Sequence, residues 1–433
     1  MHDLIQPRLL KGFRDILPEE EMNRREVEAV LEREFRLFGF VPVDSPILEY
    51  SDVLLGKGGG ATDKEVYRFE DHGGRDIAMR FDLTVPFARY MAMHGSDLPR
   101  PFKRYQMAKV WRGEKPQKGR YREFVQCDFD VVGADHMAAD LEVLLLMDRS
   151  LTAIGVEGFT IHVGHRGLLN RCLAQIGVAE HATELLRIVD KMRKIGAEAV
   201  TAELTKFVDA PKARLILEMI TPEASFVESL RKLEDLAGGG DENSRRIEDI
   251  HAIIADSPTT GRFLLDPSIT RGLDYYTGIV FETYLSKNES FGSICSGGRY
   301  NDLASLYSSS PIPGVGASIG LDRLMAALSQ IDTLPHPVPV PRVAVFNLED
   351  RLLAHYFGIA RTLREAGISC DICYSKGKLA SQFKRAEKAG SEFAIICGES
   401  EHDSRTVNLK NLVTRQSVDS ISISQAVKLI LQP

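Results

Sequence analysis

KRYQMAKVWRGEKPQKGRYREFVQCDFDVVG, Lys103 to Gly133, has two halves around a loop marked by Pro116 and Gly119. In the second half Gln126, Asp128 and Asp130 sit two apart, so on a strand they share one face. Their neighbours are Phe124, Val125, Phe129 and Val131. A surface strand can carry such a pattern, but polar residues set among these neighbours more often line a pocket in a buried sheet. Before the loop stands Trp111-Arg112-Gly113-Glu114, and after it come Arg120, Arg122 and Phe124. This is a concentration of guanidinium, carboxylate and aromatic groups at one turn.

A second stretch, RGLDYYTGIVFE, Arg271 to Glu282, joins a guanidinium to Tyr275 and Tyr276, a glycine turn and the alternating run Ile279 to Glu282. Buried phenols beside a cation suit a flat, hydrogen-bonding ligand, although a strand with a tyrosine pair in its core would look the same. The order R-G-L-D-Y-Y-T-G resembles the histidine-binding signature of histidyl-tRNA synthetases. Lys103 to Gly133 resembles motif 2 of the class II aminoacyl-tRNA synthetases, a strand, a loop and an antiparallel strand.

The rest of the chain extends the resemblance. KGFRDILPEE, Lys11 to Glu20, leads through a Pro-Glu-Glu helix start into an amphipathic helix, Glu21 to Phe38. Val27, Val30, Leu31, Phe35 and Phe38 share one helix face, and Gly39 ends it. FVPVDSPILEY then reads as a strand broken by Pro42 and Pro46. This unit resembles motif 1, which in that class forms the dimer interface. PGVGASIGLDRLMAAL, Pro313 to Leu328, a small-residue strand leading into a helix with Arg323, resembles motif 3. In AMRFDLTVPFARY, Ala78 to Tyr90, Asp82 and Thr84 flank Leu83 and alternate with apolar residues, so they are expected on one face of a strand. D-L-T stands where the family holds the substrate α-amino group, and where many bacterial members carry E-G-T.

The resemblance implies roles residue by residue. Asp82, Leu83, Thr84 and Gln126 would hold the α-ammonium of histidine. Asp130 would accept from the imidazole ring, and Tyr275 or Tyr276 would donate to it, with Tyr276 favoured. Arg112 would reach both the α-phosphate of ATP and the substrate carboxylate. Glu114 would accept from the adenine amino group, Phe124 would stack on the ring, and Arg120 and Arg323 would hold the outer phosphates. Arg271, Arg112 and Gln126 would be the catalytic set, with Arg271 where related enzymes place a metal ion. No resident metal is expected; Mg²⁺ would accompany the ATP.

The implied fold is α+β, an antiparallel catalytic sheet rather than a doubly wound one, with a helical insertion and a C-terminal α/β anticodon-binding domain. The expected divisions are 1–177 for the first part of the core, 178–255 for the insertion and 256–332 for the second part. A proline linker, 333–341, and the anticodon-binding domain, 342–433, complete the chain. The implied function is ligation of L-histidine to tRNA(His) with ATP, by a homodimer. Two alternatives share the fold: a non-catalytic regulatory subunit of histidine biosynthesis and a sensor of uncharged tRNA.

Other features are plainer. GKGGGATDKEVYRFED, Gly56 to Asp71, lacks the G-K-[ST] ending of a phosphate loop and reads as a mobile flap. FGSICSGGRYNDL, Phe291 to Leu303, has glycines that would let backbone approach a ligand. AGGGDEN, Ala237 to Asn243, reads as a flexible break. His162 and His165 have no metal-ligand spacing, and Cys370 and Cys373 form a lone C-x-x-C; both pairs read as structural. Lys376, Lys378, Lys384, Arg385 and Lys388 make either a solvated helix face or a surface for an anticodon stem. A chain of 433 residues exceeds one core, and a net charge of −7 argues against a general nucleic-acid coat. No apolar run reaches the ~20 residues of a membrane span. The N-terminus lacks a signal-peptide core, so the cytoplasm is the expected compartment.

Overall fold

A computed structural model describes residues 4–56, 65–117, 119–270, 275–287, 291–307, 311–331 and 340–432. The catalytic arginine expected at 271, half of the glycine-rich flap and most of the proline linker lie outside the described residues. The chain divides into two compact units, Met1–Pro335 and His336–Pro433.

The first unit is built on an eight-stranded sheet. Its spatial order is Val41–Pro42, Phe102–Trp111, Glu123–Val132, Gly314–Gly320, Cys295–Arg299, Ile279–Leu285, Phe159–His165 and Phe263–Leu265. The six inner strands are antiparallel to their neighbours, and only the two short edge strands pair in parallel. Phe102–Trp111 pairs with Glu123–Val132 along its whole length, from Phe102 opposite Val132 to Trp111 opposite Glu123.

Register gives this sheet two unlike faces. Residues directly opposite one another project to the same side. Gln106, Asp128, Ser318, Ser296, Glu282 and His162 form one continuous polar row across six strands. The alternate positions Tyr105, Phe129, Ala317 and Phe281 face the other way, into the core. There they meet the helices Pro18–Leu37, Met137–Ile154 and Leu321–Ile331.

The first of these helices begins with Pro18 in its first turn, followed by Glu19, Glu20 and Glu21, which complement the positive end of the helix dipole. Its fully buried residues are Val27, Leu31 and Phe35, each contributing roughly 1.5–3 kcal/mol by leaving water. The Phe35 and Phe129 ring centroids lie 5.0 Å apart. Gly39, at φ +79°, turns the chain out of the helix.

The alternation at Asp82 and Thr84 does not form a strand. The strand stops at Met79, and Thr84–His94 is a helix. Asp82 Oδ1 accepts the backbone N–H of Val85 at 3.1 Å, satisfying one of the donors a helix start leaves orphaned. Pro86, lacking an N–H, sits in the first turn without breaking a bond. Local capping chemistry therefore outweighs the period of two.

The helices Ala182–Val189, Met192–Leu204, Ala210–Ile220, Phe226–Leu236 and Glu242–Ala255 share one core. Leu168, Leu169 and Leu173 of the preceding helix Arg166–Gln175 belong to it as well. Ala237–Asn243 is not a loose break. Arg171 donates to the carbonyls of Ala237 and Gly239 at 3.2 and 3.0 Å, and Asp241 caps the next helix.

The second unit has a five-stranded sheet ordered Cys370–Ile372, Val343–Val345, Phe393–Ile396, Val407–Asn411 and Ser417–Ile421. The first three strands are parallel and the last two antiparallel. The two strands Val407–Asn411 and Ser417–Ile421 and the helix Ile423–Leu431 close the unit. Cys370 and Cys373 are free thiols on or beside the edge strand. On the basic segment, Lys376 pairs with Glu349 and Arg385 with Asp371, at 2.8 and 2.7 Å. Among the described residues, no helix is long and apolar enough to cross a membrane.

Candidate active site

A cleft of about 1300 Å³ opens on the polar face of the eight-stranded sheet. At one end lie Arg112, Glu114, Arg120, Phe124 and Arg323. Arg112 follows directly on the strand Phe102–Trp111 and is held by donation from its Nε to the Phe81 carbonyl at 2.9 Å. Its guanidinium carbon is 5.3 Å from the Phe124 ring centroid. Arg120 donates to Glu114 at 2.8 Å, and Gln117 and Arg120 exchange backbone hydrogen bonds that fix the loop. Arg323 comes from the helix Leu321–Ile331 and donates to the Ser293 carbonyl at 2.6 Å. Burial, with Arg120 nearby, lowers its pKa to about 10, so it remains a cation at neutral pH. The start of that helix is anchored by Asp322, which accepts from Arg14 at 2.8 Å, Arg24 at 3.4 Å and the Val125 N–H at 2.7 Å.

Farther along the same face lie Asp82, Thr84, Gln126, Asp128, Asp130, Tyr275, Tyr276 and Tyr300, grouped around a buried cation. Arg104 is wholly buried and stands directly opposite Asp130 in the strand pair. It meets the Asp130 carboxylate at 2.7 Å, donates to the Leu83 carbonyl at 3.2 Å and stacks on Phe87 at 4.2 Å. Tyr300 donates to the other Asp130 oxygen. Leu83 is itself fully buried, so its carbonyl rather than its side chain serves this site. The Tyr275 and Tyr276 ring centroids lie 4.7 Å apart, and Tyr275 meets Tyr300 edge to face at 6.3 Å. Gln126 donates to Ser318 at 2.7 Å, which leaves its amide oxygen without a partner.

Two glycines make this packing possible. A Cβ on Gly316 would lie 1.9 Å from an Asp130 oxygen, and one on Gly298 would lie 2.8 Å from the Tyr276 ring. The groups that come close to these two glycines are side chains of the site itself.

Burial dominates the electrostatics of this corner. It raises Asp82 to about 6, against the Val85 N–H and the field of Arg112. It raises Asp128 to about 7, with Arg104 opposing the shift and Asp130 adding to it. Asp130 is also pushed up by burial, while Arg104 and the Tyr300 hydroxyl oppose the rise.

At the rim toward the helical insertion, His162 Nδ1 and Arg193 meet the same Asp266 oxygen at 2.8 and 2.9 Å. Arg193 also lies over Tyr284 at 4.1 Å. Burial opposes the Asp266 charge, but hydrogen bonds from His162, Ser268 and Arg193 hold its pKa at about 2. His165 accepts the Leu168 N–H at 3.3 Å and caps a helix; burial lowers it to about 4, so it is neutral. Both histidines are structural elements of the core and rim. Among the described residues, no cluster of three or more His, Cys, Asp or Glu could hold a metal ion.

All the expected site residues within the described parts line this cleft, apart from the buried Leu83. The sequence reading missed Arg104, Tyr300, Ser318, Arg193 and Asp266. For Arg104 a signal existed: once the loop at Pro116 is taken as the turn of a hairpin, Arg104 falls opposite Asp130.

Residues 12–324 match the family model described as histidyl-tRNA synthetase, and residues 342–432 match an anticodon binding domain. The chain belongs to the histidyl-tRNA synthetase family. It is 46% identical over 445 residues to a histidine–tRNA ligase of Treponema denticola, covering 99% of each chain. It is 43% identical over 427 residues to one from Rhodopirellula baltica, covering 96% of each. Among solved structures, a histidyl-tRNA synthetase from a Nostoc species superposes with a TM-score of 0.87 at 31% identity, covering 99% of both chains. The α+β catalytic fold and its C-terminal domain are those of the family.

Proposed function

We propose that this cleft joins L-histidine to ATP, giving histidyl-adenylate and pyrophosphate, and then passes the histidyl group to the 3′ end of tRNA(His). The observation that carries the reading is one polar sheet face with two unlike ends: a guanidinium and aromatic end, and a carboxylate and phenol end. The family assignment supports catalysis rather than the regulatory or sensor alternatives.

At the first end, Phe124 stacks on adenine and Glu114 accepts from its amino group. Arg120 exchanges its bond to Glu114 for the outer phosphates; a planar fork suits phosphate oxygens. Arg323 joins it there. Magnesium arrives with ATP as part of the substrate. At the other end, Asp82, Thr84 and Gln126 hold the α-ammonium. The partnerless oxygens on Asp82 and Gln126 are acceptors of the right kind. Asp130 accepts from the imidazole N–H and Tyr276 donates to the other ring nitrogen. Phenylalanine would leave both groups unpaired, so selectivity needs no separate editing site. Arg112 sits between the two ends and, with Arg271, stabilises charge developing on the α-phosphate. Charging of tRNA(His) by the purified chain with labelled L-histidine tests the reading; no charging with ATP and magnesium present would refute it.

The sequence divisions 1–177, 178–255, 256–332, 333–341 and 342–433 are read as core, insertion, core, linker and anticodon-binding domain. The last supplies tRNA affinity and little adenylate chemistry. Cutting the chain near Pro337 is expected to weaken aminoacylation far more than ATP–pyrophosphate exchange. Equal losses in both, from a folded fragment, would contradict this.

The chain acts in the cytoplasm as a homodimer. Val41, Ile47, Leu48 and Tyr50 are each at least 44% exposed, an apolar surface along the unit that resembles motif 1. Light scattering at micromolar concentration is expected to give twice the mass of one chain. A single-chain mass would remove the proposal.

A further inference from the structure

Asp82, Asp128 and Asp130 share one corner of the cleft, and none is more than 3% exposed. The guanidinium buried among them is that of Arg104, whose ion pair is with Asp130 at 2.7 Å. Fully ionised, the three carboxylates would carry two negative charges beyond the one that Arg104 meets directly, with Arg112 and Arg80 acting on them only through space. A buried charge without a partner is removed by taking up a proton.

Among the described residues, Asp128 has no cation in contact. On its own strand, Gln126 Nε2 reaches an Asp128 oxygen at 3.4 Å. On the adjacent strand Gly314–Gly320, the Ser318 hydroxyl bonds to it. On the other side, Gln106 stands opposite but is turned away, toward Asp44 at 3.1 Å and Ser45 at 3.2 Å. Arg80 influences Asp128 only through space, because its donors reach the Lys109 and Ser45 carbonyls at 2.9 and 2.6 Å. Arg104 acts on Asp128 in the same way, while Asp82 and Asp130 repel its charge. Among the described residues, Arg80 and Arg104 thus have their short bonds elsewhere. Among the acceptors of this corner without a hydrogen-bond partner are Asp82 Oδ2 and Gln126 Oε1, which belong to residues lining the cleft beside Asp128.

We propose that Asp128 is a further positioning residue of the amino-acid site: it carries a proton while the site is empty and releases it when the substrate's α-ammonium arrives. The proposal rests on reading this corner as the seat of that ammonium. The incoming cation supplies the charge the corner lacks, so the proton becomes unnecessary and Asp128 binds as carboxylate. The substrate is thereby selected for its ammonium, and binding becomes linked to pH. The sign follows from the direction of the shift. Asp128 is raised in the empty site to about 7, and a bound cation lowers it again, so binding expels a proton near neutrality. Affinity for histidine accordingly rises with pH through about 7 and levels off above it. The three carboxylates share their protons; Asp130 has the Arg104 ion pair and Asp82 the Val85 N–H, whereas Asp128 has only neutral hydrogen-bond partners.

The test is calorimetric titration of the full-length chain with L-histidine, in buffers of low and high ionisation enthalpy, at pH 7 and pH 8.5. The expected result is release of about half a proton per histidine at pH 7 and almost none at pH 8.5. Asp128→Asn is expected to bind histidine with most of that release gone; any proton from the substrate's own imidazole persists in both proteins and cancels in the comparison. Equal heats in the two buffers for the wild-type chain at pH 7 would overturn the proposal without any variant. So would undiminished release from Asp128→Asn. Absence of histidine binding in the wild-type chain would overturn the amino-acid reading itself, and this proposal with it.

Discussion

Arg112→Ala is expected to slow histidine-dependent ATP–pyrophosphate exchange by about a hundredfold to a thousandfold, the usual loss when a preorganised donor to a developing charge is removed. The side chain is held in place before any substrate binds. Its Nε is fixed on the Phe81 carbonyl and its plane lies near Phe124, while its outer nitrogens face the cleft, 3.9 Å or more from Glu114. Such a group needs little rearrangement at the moment of reaction. Arg112→Lys keeps the charge but loses the fork, so it should recover only part of the rate. The check is kinetic. A rate constant within a few-fold of wild type at saturating histidine and ATP would place the α-phosphate elsewhere.

Asp130→Asn is expected to act in two ways at once. The substitution removes the charge facing imidazole and adds a donor where an acceptor is needed, so the Michaelis constant for histidine should rise about tenfold to a hundredfold. It also takes from Arg104 its direct counter-ion, inside a sheet where Arg104 is fully buried. Breaking one side of a buried pair typically costs about 3–5 kcal/mol. Asp128, relieved of repulsion from Asp130, ionises more readily and offsets part of that cost, so a loss of about 3 kcal/mol of stability is expected. ATP affinity should stay close to wild type, because the nucleotide end of the cleft does not touch Asp130. Thermal unfolding measured beside exchange separates the two effects. An unchanged melting temperature would mean that Arg104 draws its compensation from elsewhere, and an unchanged Michaelis constant would remove Asp130 from the imidazole site.

Several parts of this account were legible in the sequence for physical reasons. Arg112, Glu114, Arg120 and Phe124 are brought together by a single tight hairpin loop, so their proximity follows from chain connectivity. Gln126, Asp128 and Asp130 share a face because a strand has a period of two. Asp82 and Thr84 misled, because three residues of alternation look the same in a strand and in a turn that caps a helix. What decides between them is the bond from the Val85 N–H to Asp82, a contact that the alternation does not reveal. Arg104 and Tyr300 were harder still. Their importance comes from partners across strands, 26 residues away for one and 170 for the other, and depends on register rather than on any local pattern. The rim formed by Arg193, Asp266 and His162 joins the insertion to the core sheet, and no short motif encodes it. Gly316 and Gly298 clear space for the Asp130 and Tyr276 side chains, a packing role set by cross-strand neighbours that the glycine pattern alone does not reveal.

In the function proposed above, one cleft recognises histidine at its carboxylate and phenol end and activates it at its guanidinium end. Amino-acid-dependent ATP–pyrophosphate exchange measures both properties together. With the full-length chain, magnesium and ATP, exchange is expected to be rapid with L-histidine and, with L-phenylalanine, to stay at the level of the blank without amino acid. Exchange that is absent with histidine, or equally fast with phenylalanine, would contradict it.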